Sequence, residues 1–499
     1  MNRECGILLP VFSIPSEFGI GCFSKEAYEF VDFLEASGQG YWQVLPIGPT
    51  GFGDSPYQPF SAFAGNPYFV SPQRLIEDGL LTWDEARSFD FGHDQERVDY
   101  GALYQGRNDL LKIAYGRFLA AGKEEKEFKE FCEKQAYWLD DYALFMTIKQ
   151  LMDSKSWMDW DEEYKTRKRA ALTAVRKENA EQFDFFRFVQ YEFQKQWEGL
   201  HEYAAKKQVK VIGDLPFYVS LDSADVWAHP EVFRMQKDLV PEVVAGCPPD
   251  AFSATGQLWG NPVYDWKALK KAGYGWWVDR IRRNCEFFDV IRIDHFHGFA
   301  EYYAVPYGAE NAAAGTHEKG PGMDLFRALK KELGEVSIIA EDLGTNTPEN
   351  EKLLAESGFP GMKVLQYAFT SWNSYYVNHR HTKNSVVYTG THDNTTLRAW
   401  VEEIQNDQRD FCRRYINSMN SDYGALTWDL IREAYRSVAD LCIIPLQDYL
   451  VLGKEARINS PGMPDGNWQW RLRPHFLSQD LSRSIRDMAA LYDRLPKAE

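Results

Sequence analysis

Eight short apolar runs, mostly separated by segments of helical periodicity, set the strongest limit on how this chain can fold. They are residues 6–12 (GILLPVF), 41–49 (YWQVLPIGP), 209–214 (VKVIGD), 288–294 (FDVIRID), 337–341 (SIIAE), 362–368 (MKVLQYA), 385–390 (SVVYTG) and 441–445 (LCIIP). A strand covered on both faces reads as a continuous apolar run, and parallel neighbours need a crossover, usually a helix. The first two runs flank Ser24 as an N-cap and a helical pattern, KEAYEFVDFLEASG, that closes at Gly38. Helical segments return at 324–333 and 349–357. The expected fold class is α/β: a closed (β/α)8 TIM barrel with helical insertions between barrel strands, forming one catalytic unit over residues 1–499.

Two stretches interrupt the alternation. Between about 100 and 207, charged and aromatic residues recur at helical spacing, which predicts a mainly helical insertion with aromatic stripes facing its core. The segment 49–59 (PTGFGDSPYQP) is a long loop after the second strand, braced by Gly and Pro and rich in aromatics.

Several strands finish on an acid. Asp214, Asp294 and Glu341 end the third, fourth and fifth runs, and the seventh leads into Thr391-His392-Asp393-Asn394. A closed parallel barrel puts every strand's C-terminal end around one mouth, so these carboxylates should converge there. Arg292 lies two residues before Asp294, on the same face of the strand, and keeps that carboxylate ionised. Clustered carboxylates repel, so one is pushed toward its neutral form beside an ionised partner, the pair that glycosyl transfer requires. In this reading Asp294 attacks the anomeric carbon and Glu341 serves as acid and then base. Asp393 and Asp214 hold sugar hydroxyls or stabilise the developing positive charge. His295 and His392 donate hydrogen bonds to the same sugar.

The other residues narrow the class. Formal charge is 56 minus 73, or −17, which opposes a nucleic-acid or anionic-membrane partner. No apolar run reaches about 18 residues, and no basic stretch precedes an apolar one at the N-terminus. Seven scattered cysteines without metal spacing read as reduced thiols of a cytoplasmic protein. Neither a GxGxxG nor a P-loop follows any strand, so no nucleotide cofactor is expected. One rival chemistry is present: His295-Phe296-His297 is a His-x-His run with both rings on one strand face, as in metal-dependent barrel hydrolases. The other strand ends offer Asp and Glu rather than further histidines, so no metal is expected.

Taken together, the motifs GDSPYQPFSAFAGNPYFV, IGDLPFYV, AGCPPDAFSATGQLWGNPVY, IRIDHFHGF, IIAEDLG, TGTHDNTT and RINSPG…NWQWR run through most of the chain. With them the chain resembles the 4-α-glucanotransferases, the amylomaltase or disproportionating-enzyme family of the α-amylase superfamily. The resemblance implies a retaining barrel transferase that moves α-1,4-glucan segments between malto-oligosaccharide, starch or glycogen chains, with donor and acceptor sugars as its partners. Residue by residue, Asp294 matches the family nucleophile, Glu341 its acid/base and Asp393 the third carboxylate. Arg292, His392, Asp214, Tyr57 and Trp259 match substrate-binding positions, and Asn394 in THDN and Asn459 in RINSPG join them. The stretch 245–262 reads as an active-site flap loop with aromatic tips at Phe252 and Trp259, suited to keeping water from a glycosyl-enzyme. The family often carries a bulky aromatic where this chain has Ala251. The segment 463–466 (MPDG) is read as bordering the acceptor side.

Three alternatives stay open at this point: a hydrolase of the same superfamily with water as acceptor, a metal-dependent barrel hydrolase, and an inactive glucan-binding protein.

Overall fold

The computed structural model describes residues 3–51, 53–122, 125–249, 253–344, 347–463 and 465–497. Its strands are β1 (Glu4–Leu8), β2 (Tyr41–Gln43), β3 (Lys210–Leu215), β4 (Val243–Cys247), β5 (Gln257–Pro262), β6 (Val290–Ile293), β7 (Glu301–Pro306), β8 (Thr316–Lys319), β9 (Ile338–Ala340), β10 (Gly361–Val364), β11 (Ser385–Tyr388) and β12 (Leu441–Pro445). Eight of these close into a barrel whose order around the ring is the order along the chain: β1, β2, β3, β6, β9, β10, β11, β12 and back to β1. Every barrel ladder is parallel. Each of the eight apolar runs overlaps one barrel strand, with β1, β3 and β10 extending one or two residues beyond their runs, so the (β/α)8 expectation is met. Several strands are shorter than their runs, β2 and β10 most clearly. β2 stops at Gln43, ahead of the prolines at 46 and 49, and β10 passes into a 3-10 turn at Leu365–Tyr367.

Side chains fill the barrel. Tyr388 on β11 donates to Gln43 on β2 at 2.9 Å, and both are buried. Two strands separate them in the ring, so only side chains directed inward can meet. On the outside, the helix Lys25–Ala36 buries Ala27, Phe30, Val31, Phe33 and Leu34 and ends before Gly38, whose φ of 68° makes the left-handed turn. Between β2 and β3 lie the helices Tyr100–Ala121, Glu125–Lys134, Ala136–Leu151, Arg169–Glu178 and Ala180–Lys206. The longest of them buries Phe193, Trp197, Leu200 and Ala204, and its Trp197 indole donates to the Phe287 carbonyl at 3.0 Å, just before β6. Trp42, Trp157, Trp197, Trp227 and Trp277 are all fully buried, so much of the aromatic excess is core packing. No described helix is long and apolar enough to cross a membrane.

The remaining strands form a second, antiparallel sheet in the order β5-β4-β7-β8. It grows from the connections after β3 and β6, and sequence reasoning did not anticipate it. The stretch 245–262, read above as a loop, is largely the two arms of a hairpin, β4 and β5. Residues 250–252, including Ala251 and Phe252, lie outside the described residues, as does Pro464 in the 463–466 segment.

Close packing sets a limit at β3, the strand that carries Asp214. A Cβ placed on Gly213 would meet the Phe288 ring at 2.1 Å. We expect Gly213→Ala to destabilise the protein by about 1–3 kcal/mol through overpacking. Urea denaturation would show this as a lower midpoint at unchanged slope, whereas an unchanged midpoint would mean that the ring has room to move.

Candidate active site

Register brings the acids together before any side-chain contact does. In the barrel ladders Asp214 on β3 pairs with Arg292 on β6, and Ile293 on β6 pairs with Ala340 on β9. Asp294 and Glu341 are each one residue beyond that last pair, at the C-terminal ends of neighbouring strands. Adjacent strands lie about 4.8 Å apart, and residues level in register share a face, so the two carboxyls are rooted side by side. The Glu341 amide donates to the Ile293 carbonyl at 3.0 Å and the Phe296 amide to the Glu341 carbonyl at 3.1 Å, which locks the two strand ends together.

Arg292 organises one half of the mouth. Its Nη1 donates to both oxygens of Asp214 at 2.7 Å and to Asp294 Oδ1 at 3.2 Å. Burial disfavours the guanidinium charge, but Asp214 and then Asp294 outweigh it and hold Arg292 well above the ordinary arginine range. Asp214 and Arg292 are buried, whereas the Asp294 side chain is 30% exposed and open to a ligand. Tyr57 donates its hydroxyl to Asp214 at 2.9 Å, and burial pushes that phenol well above its usual range.

Glu341 has the opposite environment. Its two oxygens accept from the His295 and Leu343 amides, each at 2.8 Å. Burial, reinforced by the Asp294 charge, pushes its carboxyl up to about 8. Arg292 opposes that shift without cancelling it. One carboxyl thus has a cation within hydrogen-bond reach while its neighbour is held toward the neutral form, the division of labour a nucleophile and a general acid need.

The other half of the mouth follows β11. His392 stacks on Tyr57, with ring centroids 5.1 Å apart, and its Nε2 lies 3.3 Å from Asp393 Oδ1. Asn459 donates to the same Asp393 oxygen at 2.6 Å, and the Arg457 guanidinium donates to the Asp393 carbonyl at 2.7 Å. Replacing Asn459 with alanine should lower kcat/KM on a malto-oligosaccharide by about ten-fold, the loss of one short bond to a carboxylate. The thermal midpoint should barely move, and a rate within two-fold of the parent would remove Asn459 from the site.

Of the residues singled out in the sequence, Tyr57, Asp214, Arg292, Asp294, His392, Asp393 and Asn459 form one connected set. Trp259, on β5, packs edge-on against the His295 ring with centroids 5.3 Å apart. Asn394 stands apart from the carboxylates. It accepts from the Thr391 amide and hydroxyl and donates to the Tyr367 hydroxyl at 3.1 Å, bracing the turn after β11.

His295 and His297 need a correction. The strand ends at Ile293, His295 takes a left-handed conformation with φ 49°, and His297 lies in the 3-10 turn Phe296–Phe299, so the pair does not alternate along a strand. Burial lowers the titration of both rings, His297 to about 4. Among the described residues, no three His, Cys, Asp or Glu side chains are grouped to hold a metal ion.

Sequence reasoning also missed Trp468, whose ring lies 5.7 Å from Tyr57 and 6.0 Å from His392, together with Tyr218 beside Trp259 and Tyr367 beside Asn394. Trp468 stood inside the quoted NWQWR motif, in a segment that the resemblance placed at the site through Asn459, but the aromatic itself was not singled out.

A closed parallel barrel with acids gathered at the C-terminal ends of its strands is the architecture of a (β/α)8 enzyme. The sequence profile of the 4-alpha-glucanotransferase family matches residues 9–478. The chain is 44% identical over 487 residues to a 4-alpha-glucanotransferase of Clostridium butyricum, covering 97% of this chain and 99% of that one. It is 43% identical over 497 residues to a 4-alpha-glucanotransferase of Streptococcus pneumoniae, covering 99% and 98%. Among solved structures, the amylomaltase of Streptococcus agalactiae in complex with acarbose superposes with a TM-score of 0.96 at 38% identity, covering 99% of this chain and all of that one. The chain belongs to the 4-alpha-glucanotransferase family.

Proposed function

We propose that the chain transfers α-1,4-glucan segments by a retaining double displacement through a covalent glycosyl-enzyme. The observation that carries this reading is the placing of Asp294 and Glu341 at register-matched ends of neighbouring strands, with opposite electrostatic surroundings. Neighbouring, register-matched strand ends suit the close pair of carboxyls, ~5–5.5 Å apart, that retaining enzymes use; inverting ones need more room for a water.

Asp294, with the Arg292 guanidinium donating to its Oδ1, attacks the anomeric carbon. Glu341 gives its proton to the departing glycosidic oxygen, then takes one from the acceptor hydroxyl that breaks the glycosyl-enzyme. Asp393, oriented by Asn459 and His392, holds hydroxyls of the donor sugar. Tyr57, Asp214, Arg292, Trp259 and His295 complete the binding set, and Asn394 acts from behind it by holding the turn that carries Asp393. The hairpin around residues 245–262 acts as a flap, its Trp259 beside His295 favouring a sugar over water as acceptor. Residues 100–207 form an insertion on a single catalytic unit. No cofactor, metal, nucleic acid or membrane enters the scheme. The complex of the Streptococcus agalactiae relative with acarbose supports the assignment of α-glucans as donor and acceptor. Seven free cysteines, five of them buried, are compatible with a cytoplasmic setting.

Incubation with maltotriose tests the scheme. Glucose appearing together with maltopentaose and longer chains is the expected pattern. Glucose and maltose alone would mean that water intercepts the glycosyl-enzyme, making this a hydrolase.

A further inference from the structure

The eighth barrel strand is also followed by an acid. Asp448 lies in the short helix Leu446–Tyr449, directly after β12, and is buried. Its two oxygens serve two different segments. Oδ2 accepts from the Thr389 hydroxyl at 2.6 Å, and Oδ1 accepts from the Leu397 amide at 2.7 Å. Thr389 is the first residue after β11, and Leu397 opens the helix Leu397–Glu403. The residues between them, 390–396, form neither strand nor helix and include His392, Asp393 and Asn394. One carboxylate therefore pins both ends of the stretch that presents Asp393 to the mouth.

The preceding residue holds the other wall. Gln447 is buried too, and its Nε2 donates to the Ala456 carbonyl at 3.3 Å. Ala456 leads directly into Arg457 and Asn459, which bond the Asp393 carbonyl and Oδ1. The Asn459 amide also donates to the His392 carbonyl at 3.1 Å, which joins the two walls. Gln447 and Asp448 thus fasten both segments that meet at Asp393.

An ionised carboxylate only accepts, which suits these two donors: a hydroxyl, and an amide in the first turn of a helix that has no acceptor inside that helix. Burial pushes the Asp448 carboxyl up to about 6, with the Thr389 and Leu397 bonds opposing the shift. The Asp393 side chain is 43% exposed, so its aim depends on Asn459 and on the backbone that carries it. Groups that act on a substrate must be held within about 0.5 Å of their productive positions. We propose that Asp448, with Gln447 beside it, is a positioning residue for Asp393: it does not touch the sugar, and it sets where that carboxylate stands in the transition state. The role of Asp393 rests on the glucan-transfer reading above; the clamp of Asp448 on residues 389 and 397 does not.

Asp448→Ala removes both bonds. Asp448→Asn keeps them, since its amide oxygen accepts from Leu397 and its nitrogen donates to the Thr389 hydroxyl, which can also accept. On maltotriose, kcat of Asp448→Ala should fall about 10²-fold, the scale of a misplaced group at a reacting centre, while KM changes by less than about three-fold. Asp448→Asn should recover kcat to within about five-fold of the parent. A double-mutant cycle with Asp393→Ala then separates positioning from general support. An α-maltosyl fluoride donor, whose leaving group departs readily, keeps the slow variants measurable. With no carboxylate left to aim, the Asp448→Ala penalty should shrink to about two-fold or less. An equal loss in both backgrounds would overturn the proposal and make Asp448 a support of the barrel at large. So would a kcat of Asp448→Ala within about three-fold of the parent. Should Asp448→Ala not fold, Thr389→Val severs one of the two bonds and takes its place in the cycle, with Thr389→Ser as the variant expected to recover the rate. Parental turnover in Asp393→Ala alone would instead remove the role given to Asp393 in the transfer scheme, and the positioning role would fall with it.

Discussion

Asp294→Asn should lower kcat/KM on maltotriose on the order of 10⁴-fold or more, the scale seen when a covalent catalyst loses its nucleophile. Asparagine keeps the shape of the side chain, and its oxygen can still accept from Arg292. What disappears is the negative charge, and with it the nucleophilicity that forms the glycosyl-enzyme. The fold should survive the change, because Arg292 keeps its 2.7 Å contacts with both oxygens of Asp214. Circular dichroism and the thermal midpoint should therefore match the parent while turnover vanishes. A variant within ten-fold of the parent would show that Asp294 is not the attacking group, and would return attention to Asp393 as the remaining exposed carboxylate of the mouth.

Glu341→Gln is the second large effect, and it has both a kinetic and a thermodynamic signature. Loss of the general acid should reduce turnover about 10²–10⁴-fold. In the parent, activity should decline as pH rises through about 8, where the Glu341 proton is lost; in the variant that alkaline limb should be absent.

The stability signature runs as a difference between parent and variant. The unfolded carboxyl loses its proton near 4.5 and the folded one near 8, so between these values the folded state binds more protons than the unfolded. Stability from this group is therefore present below pH 4.5 and is lost as pH rises to about 8. Glutamine does not titrate. Relative to the parent, Glu341→Gln should gain on the order of a few kcal/mol between pH 4.5 and 8. Its amide nitrogen must face one of the two N–H groups that Glu341 now accepts from. That mismatch lowers the whole curve by a constant and leaves the slope intact. Parallel melting curves at pH 5 and pH 8 would mean that the carboxyl is not held neutral by its surroundings.

The barrel was legible because its strands are buried on both faces, and such strands appear in a sequence as unbroken apolar runs. Burial of every residue of β1, β6, β10, β11 and β12 shows why those runs stood out. The antiparallel sheet was not legible for the opposite reason. β8 (THEK) is mostly exposed and β5 (QLWGNP) half so, and neither carries an alternating pattern. They join the sheet only through β4 and β7, whose paired residues are 59 to 63 positions apart (Ala245 with Ala304, Val243 with Pro306), so the sheet depends on where β3 and β6 have already been placed. His295 shows a finer limit. Only its backbone conformation, φ 49°, takes it out of the strand, and a histidine in that conformation leaves no mark on the hydrophobic pattern.

The sequence by itself determined the barrel, its parallel order, and the identities of the acids at the strand ends, because apolar periodicity and strand termini are local properties of the chain. Tertiary structure decided the rest. Ladder register set Asp294 level with Glu341 and paired Asp214 with Arg292. Burial then held Glu341 toward its neutral form while Arg292 stood against Asp294. The return of residues 457–468 to the mouth supplied Asn459 to Asp393 and Trp468 to Tyr57. Charge, distance and desolvation act through space, so the chemistry of each carboxyl exists only once distant segments have been packed around it.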